Sequence, residues 1–232
     1  MGTPTQPSAT RRISILIPIF NEGKRIKRLL VDIYNQFNGR NNKNYEVIVV
    51  DDGSLDGTDI HPSERVKFIK INRNSGKGLA LKVGFQYATG DFIVFLDGDY
   101  QIHPKHIWKY IDVIEKSNAD IVIASKRNSQ SSIEYTPLRK FVSNGYHTLI
   151  MFMFGLKLSD TQTGFKVFRK EVLNRIFPIV TSKLYAFDLE ILLLAHKMEY
   201  RIVERPVEIM DVGKYRTFSF WDIYHTFKDT ES

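Results

Sequence analysis

Two carboxylates stand one residue apart at the end of a short apolar run. Phe92-Ile93-Val94-Phe95-Leu96 is followed by Asp97-Gly98-Asp99, with Gln101 two residues further on. The run has the length and the aromatic and β-branched content of a buried strand. Carboxylates are rarely buried without a partner, so Asp97 and Asp99 belong just past the strand's carboxyl end, where open α/β sheets bind ligands. Two carboxylates and the amide oxygen of Gln101 are hard oxygen donors. That set suits Mg²⁺ or Mn²⁺ completed by substrate phosphates. The competing reading is an acidic turn open to solvent. A second strand, Tyr45–Val50, ends in a like manner in Asp51-Asp52-Gly53-Ser54, with Asp56-Gly57-Thr58 behind it. Two apolar strands that each end in an acidic, glycine-bearing loop predict one site at the carboxyl edge of a parallel sheet.

The remaining elements must hold those loops. Ile13–Ile19 reads as a strand, followed by a loop at Phe20-Asn21-Glu22 and a helix from Lys24 to Phe37 with apolar residues at i, i+3, i+4, i+7. Val66–Ile71 is a third strand. Asn72–Gly78 then leads into a helix over Leu79–Ala88; its Gly-Lys-Gly segment could hold phosphate or simply start the helix. Pro104 opens a helix through Lys116, and Asp120–Ala124 is a further strand. A strongly apolar helix is expected from Thr136 to Phe154. It reads as a core helix by default, or as a lipid-facing surface with Arg139 and Lys140 at head-group level. Asp160–Arg169 is a polar turn entering a short strand, Glu171–Ile176 a short helix, and Tyr185–Met198 a longer one. Arg201–Ile209 is a strand whose Pro206 suits a sheet edge. Ser219–Lys228 carries Phe220, Trp221, Tyr224 and Phe227 on an amphipathic pattern.

Composition narrows the classes. The chain has 232 residues, 43% hydrophobic and 25% charged, as expected of a globular domain. It has no cysteine, which excludes disulfides. The net charge of +7 favours anionic partners: phosphorylated substrates or anionic lipid. No aromatic-studded RNA-binding signature is present, so no nucleic-acid partner is expected. No apolar stretch reaches the roughly 18–20 residues of a membrane span. Residues 1–12 read as a disordered lead-in without the apolar core of a signal peptide.

Four ordered motifs resemble the GT-A family 2 glycosyltransferases: Ile15–Glu22, Val49–Ser54 with Asp56-Gly57-Thr58, Phe95–Asp99, and Asp160–Lys166. Within that family the chain looks most like the dolichyl- or polyprenyl-phosphate hexose synthases, over residues 13–215. The resemblance implies a GT-A, Rossmann-like α/β fold: a mostly parallel central sheet flanked by helices, with amphipathic acceptor-side helices. It covers a single domain over 13–215; residues 216–232 read, from their own pattern, as a C-terminal amphipathic helix suited to a membrane surface. It also implies a nucleotide-sugar donor, UDP-glucose or GDP-mannose, with Mg²⁺ or Mn²⁺. By position, Pro18, Phe20, Glu22, Val50 and Asp52 would hold the nucleoside. Phe20 stands where relatives often carry Tyr. Asp97, Asp99 and Gln101 would hold metal and diphosphate, with Gly98 in place of a common Ala. Arg127 matches a donor-side arginine, Arg139 and Ser143 match an acceptor-phosphate site, and Lys214 roughly matches a basic flexible-loop residue. Asp97, Asp99 and Arg127 would be the catalytic set. Tyr185–Glu190 looks more like the glucosyl branch than the mannosyl branch.

The expected reaction is inverting transfer of a hexose to dolichyl or polyprenyl phosphate on the cytosolic face of a membrane, endoplasmic reticulum or plasma membrane. Attachment there would be peripheral, or anchoring could come from a subunit or a segment outside this chain. A phosphate monoester has its second pKa near ~6, so that acceptor is anionic without a general base. Two alternatives stay open. One keeps the fold with a saccharide hydroxyl as acceptor and Asp188 or Glu190 as base. The other is a non-catalytic nucleotide-binding module at a membrane.

Overall fold

The computed structural model describes residues 11–40, 44–126, 155, 158–182, 184 and 186–210. The strands are β1 (Ile13–Ile19), β2 (Tyr45–Asp51), β3 (Val66–Lys70), β4 (Phe92–Phe95), β5 (Ile121–Ser125), β6 (Lys166–Arg169) and β7 (Ile202–Pro206). The helices are α1 (Gly23–Asn38), α2 (Lys77–Gln86), α3 (His106–Lys116), α4 (Lys170–Ile176) and α5 (Ala186–Lys197). Among the described residues the strands form one sheet in the order β3-β2-β1-β4-β6-β5-β7. β1 to β4 run parallel, as do β5 and β7, whereas β6 is antiparallel to both β4 and β5. The expected mostly parallel α/β sheet is therefore present, with β7 and its Pro206 at an edge.

Alternation along the strands builds a layer on each face. Ile13, Ile15, Ile17 and Ile19 of β1 pack with Ile26, Leu29, Ile33 and Phe37 of α1 and with Ile107, Tyr110 and Ile114 of α3. Leu16 and Ile48, Val50, Ile93 and Phe95 face the other way, onto α2, α4 and α5. Such runs, covered on both faces, are what parallel strands require. One buried polar cluster interrupts them near the strands' amino ends. Glu46 accepts from Ser14 Oγ at 2.7 Å, Lys67 Nζ at 2.9 Å, and Thr89 N and Oγ1 at 2.7 and 2.6 Å. Burial would raise its pKa, but these donors outweigh it and hold the carboxyl at about 2.

β1 pairs with β2 on one side and β4 on the other, so the winding reverses between β1 and β4. The loops leaving their carboxyl ends therefore flank a crevice. The expected apolar helix at 136–154 and the amphipathic segment at 219–228 lie outside the described residues, as do residues 1–10. None of the described helices is long and apolar enough to cross a membrane.

Candidate active site

Four loops meet at the carboxyl edge. After β1, Asn21 takes a positive φ of 58°. Its backbone N–H donates to Ser54 Oγ, and its side-chain oxygen accepts from Leu55 N, both at 2.8 Å. Gly23 N donates to Asp56 Oδ2 at 3.0 Å, so the loops after β1 and β2 are laced together. Pro18 and Phe20 are half-buried at this junction, and Glu22 pairs with Arg25 at 2.7 Å.

Two residues expected at the nucleoside also have structural roles. Val50 is 1% exposed and its side chain lies in the core under Gly84 of α2, because alternation along β2 turns it to that face. Only its backbone is left for a ligand. Asp52 is also buried, and its two oxygens accept from Ser75 N at 2.9 Å and Gly76 N at 2.7 Å. It thereby ties down the turn that leads into α2, the loop read in sequence as either a phosphate cradle or a helix start.

The loop after β4 carries Asp97 and Asp99. Gly98 packs so tightly that an added Cβ would sit 2.4 Å from Ile19 Cγ2. Tyr100 follows with a φ of 62°, a conformation rare for an aromatic residue. Its hydroxyl donates to Asp32 on α1, and the Arg28 guanidinium lies 5.0 Å from its ring centre. Those contacts hold the turn in which Gln101 N donates to Asp99 Oδ1 at 3.0 Å. Burial and the neighbouring Asp97 charge push the Asp99 carboxyl up to about 6, against the opposing pull of Gln101 N–H and Lys126. His103 is a turn residue: its Nδ1 accepts from Lys105 N at 3.0 Å.

The fourth loop wraps around Asp160, whose Oδ1 accepts from Gln162 N and Thr163 N at 3.0 and 3.2 Å. Glu204 of β7 anchors it by accepting from Ser159 N at 2.8 Å and Asp160 N at 3.1 Å. This wrap lays Gly164 against the Asp97 carboxylate. Beneath it runs a chain of ion pairs. Lys77 Nζ lies 2.9 Å from Asp97 Oδ1 and 3.0 Å from Asp188 Oδ2, and Lys166 Nζ lies 2.6 Å from Asp188 Oδ1. Burial works against the Asp188 charge, but Lys166 and Lys77 outweigh it and lower its pKa. Glu190 accepts from Thr181 N at 2.9 Å and Ser182 N at 2.8 Å. Both carboxylates considered as bases are thus tied down.

The Asp97–Asp99 pair fits a divalent ion: two neighbouring hard oxygen donors at the crevice, of which Asp97 is already held beside one cation, Lys77. Among the described residues no three His, Asp or Glu side chains converge to form a full cage, so an ion there would rely on substrate oxygens, as Mg²⁺ commonly does. Gln101 fits less well, because its Oε1 already accepts from Lys126 Nζ at 3.3 Å. Arg127, Arg139, Ser143 and Lys214 lie outside the described residues. The sequence reading left Lys77, Lys126 and Lys166 out of the site. No local pattern marks these pairings, since the partners lie 20 to 111 residues away.

The model of the family "Glycosyl transferase family 2" matches residues 14–177, well over half of the chain. The chain belongs to glycosyl transferase family 2. It is 32% identical over 225 residues to the dolichyl-phosphate beta-glucosyltransferase of Saccharomyces cerevisiae, covering 86% of this chain and 67% of that protein. The enzyme of the same name from Dictyostelium discoideum is 32% identical over 219 residues, with the same coverage. The chain therefore spans about two thirds of the length of these relatives. Among solved structures, mannosyl-3-phosphoglycerate synthase from Rubrobacter xylanophilus matches with a TM-score of 0.72 at 17% identity, covering 95% of this chain and 72% of that one. Glucosyl-3-phosphoglycerate synthase from Mycobacterium tuberculosis, in complex with Mn²⁺, UDP and phosphoglyceric acid, matches at 0.70 and 18%, covering 94% and 75%. These likenesses establish the GT-A fold.

Proposed function

We propose that this glycosyltransferase moves glucose from UDP-glucose to dolichyl or polyprenyl phosphate, with inversion and with Mg²⁺ or Mn²⁺. The observation that carries the reading is the Asp97–Asp99 pair at the carboxyl end of β4, in a chain whose relatives are named dolichyl-phosphate beta-glucosyltransferases. The glucosyl assignment follows those names, with GDP-mannose as the competing donor. The bound ion would neutralise the departing nucleoside diphosphate as a Lewis acid, held by Asp97 and Asp99. Pro18, Phe20 and Glu22 would line the nucleoside side, with Asp52 shaping that wall by holding the turn before α2. Arg127 and Lys214 would contribute on the donor side, and Arg139 with Ser143 would seat the acceptor phosphate; Arg suits a bidentate phosphate contact better than Lys.

The engaged state of Asp188 and Glu190 favours a phosphate acceptor over a saccharide hydroxyl. An anionic phosphate oxygen needs no base, whereas a hydroxyl does. The lipid acceptor and the +7 charge support peripheral residence at the cytosolic face of a membrane. Titration calorimetry with Mn²⁺ tests the donor: UDP should bind at least tenfold more tightly than GDP, and the reverse order would move the assignment to GDP-mannose. Flotation with anionic liposomes at low salt tests the membrane contact, and protein left at the bottom of the gradient would count against it.

A further inference from the structure

Lys77 is an odd residue for its position. It is the first residue of α2, where the helix dipole disfavours a cation. Its ammonium reaches across to Asp97 Oδ1 at 2.9 Å and Asp188 Oδ2 at 3.0 Å, which gives it reason to be there. Asp97 is boxed on its other side by Gly164, where an added Cβ would lie 1.7 Å from Oδ2. The second anchor of Lys77 is not mobile. The Asp188 side chain is 8% exposed and is fixed by Lys166, itself 1% exposed and also donating to Thr163 O. One ammonium is therefore shared between a carboxylate at the crevice and a carboxylate in the core.

We propose that Lys77 is a positioning residue that occupies Asp97 as an internal cation and withdraws onto Asp188 when a nucleotide-bound divalent ion takes that oxygen. The inference rests on the reading of Asp97 and Asp99 as the metal pair. Asp188 makes the exchange feasible, because Lys77 keeps a buried acceptor when it gives up Asp97 and need not return to water. Before the ion arrives, Lys77 holds the Asp97 carboxylate against Gly164 and offsets its repulsion with Asp99. Its cost is competition: a fixed positive charge on a ligand oxygen weakens binding of a bare dication.

Mn²⁺ binding to the full chain, read from the electron paramagnetic resonance of free Mn²⁺ with and without UDP, tests this. Lys77→Met should bind Mn²⁺ about five- to tenfold more tightly than wild type without nucleotide. Its transfer rate should nevertheless fall at least tenfold. Lys77→Arg, which keeps the charge and both reaches, should stay near wild type in both. Lys116→Met, at the far end of α3, controls for net charge and should change neither. A lysine that merely braced the loop would give the opposite sign, since a loosened site binds Mn²⁺ more weakly. Unchanged or weaker Mn²⁺ binding by Lys77→Met, with wild type binding Mn²⁺ in the presence of UDP, overturns the inference and leaves the metal reading standing. No Mn²⁺ bound by wild type with UDP or GDP overturns both. Should Lys77→Met lose its cooperative thermal transition, Lys77→Gln, which keeps a polar head for Asp188, carries the same comparison.

Discussion

Replacing Gly164 by alanine should damage the reaction far more than the fold. An added Cβ would stand 1.7 Å from Asp97 Oδ2 and 2.1 Å from its Cγ. To reach even a 3.0 Å separation, that oxygen must retreat by about 1.3 Å. The colliding atoms belong to a side-chain end that is 37% exposed, so the carboxylate can swing away without moving the backbone. The swing breaks the Asp97–Lys77 pair, which is partly open to solvent and worth at most about 1 kcal/mol. In a chain of this size that corresponds to a drop of about 2–4 °C in Tm. Catalytic alignment is less forgiving: a displacement of ~1 Å costs on the order of 100-fold, or about 2.7 kcal/mol of transition-state stabilisation. Steady-state transfer from UDP-glucose to a short polyprenyl phosphate, with a thermal melt of the same preparation, measures both. Gly164→Ala should lose about 100-fold in kcat/KM, and in an Asp97→Ala background it should cost almost nothing more. A Gly164→Ala enzyme within threefold of wild type would show that the position of Asp97 does not matter to the reaction.

Further outcomes follow from the same geometry. Gly98→Ala should cost about 1–3 kcal/mol in urea unfolding through its clash with Ile19 Cγ2, and that cost should vanish in an Ile19→Ala background; a persistent cost would place the strain elsewhere. Glu46 is held at about 2 in the fold against 4.5 in the unfolded chain. It therefore contributes stability above pH 4.5 that is lost as the pH falls towards 2. Between pH 6 and pH 3 the wild type should lose about 2 kcal/mol more stability than Glu46→Gln, and parallel pH profiles would refute the pairing. Asp188→Asn leaves Lys166 buried without its counter-ion and should lose about 3–5 kcal/mol. A stable Asp188→Asn protein whose pH–rate profile loses its acid limb would instead restore Asp188 as a general base.

The strand and helix framework was readable because it rests on local pattern. The apolar runs Ile13–Ile19, Tyr45–Asp51 and Phe92–Phe95 and the apolar stripe of α1 carry their own signal. The place of β6 was not readable. Its four residues contain two cations, and its insertion antiparallel between β4 and β5 is set by pairings between distant segments. The site divides in the same way. Asp97 and Asp99 stand out because acidic residues end an apolar strand. The hold of Asp52 on the turn before α2 and the core position of Val50 depend on how α2 packs across β2. Lys166 looks like an ordinary strand-entry lysine until Asp188, 22 residues later, is brought against it.

The most direct test of the central proposal is transfer of radiolabelled glucose from UDP-glucose into organic-extractable lipid, with purified protein, polyprenyl phosphate and Mn²⁺ or Mg²⁺. GDP-mannose is run alongside. The expected result is labelled lipid from UDP-glucose that disappears with Asp99→Ala or with chelation of the metal. Label appearing only in soluble saccharide, or lipid labelling that survives Asp99→Ala, would contradict it.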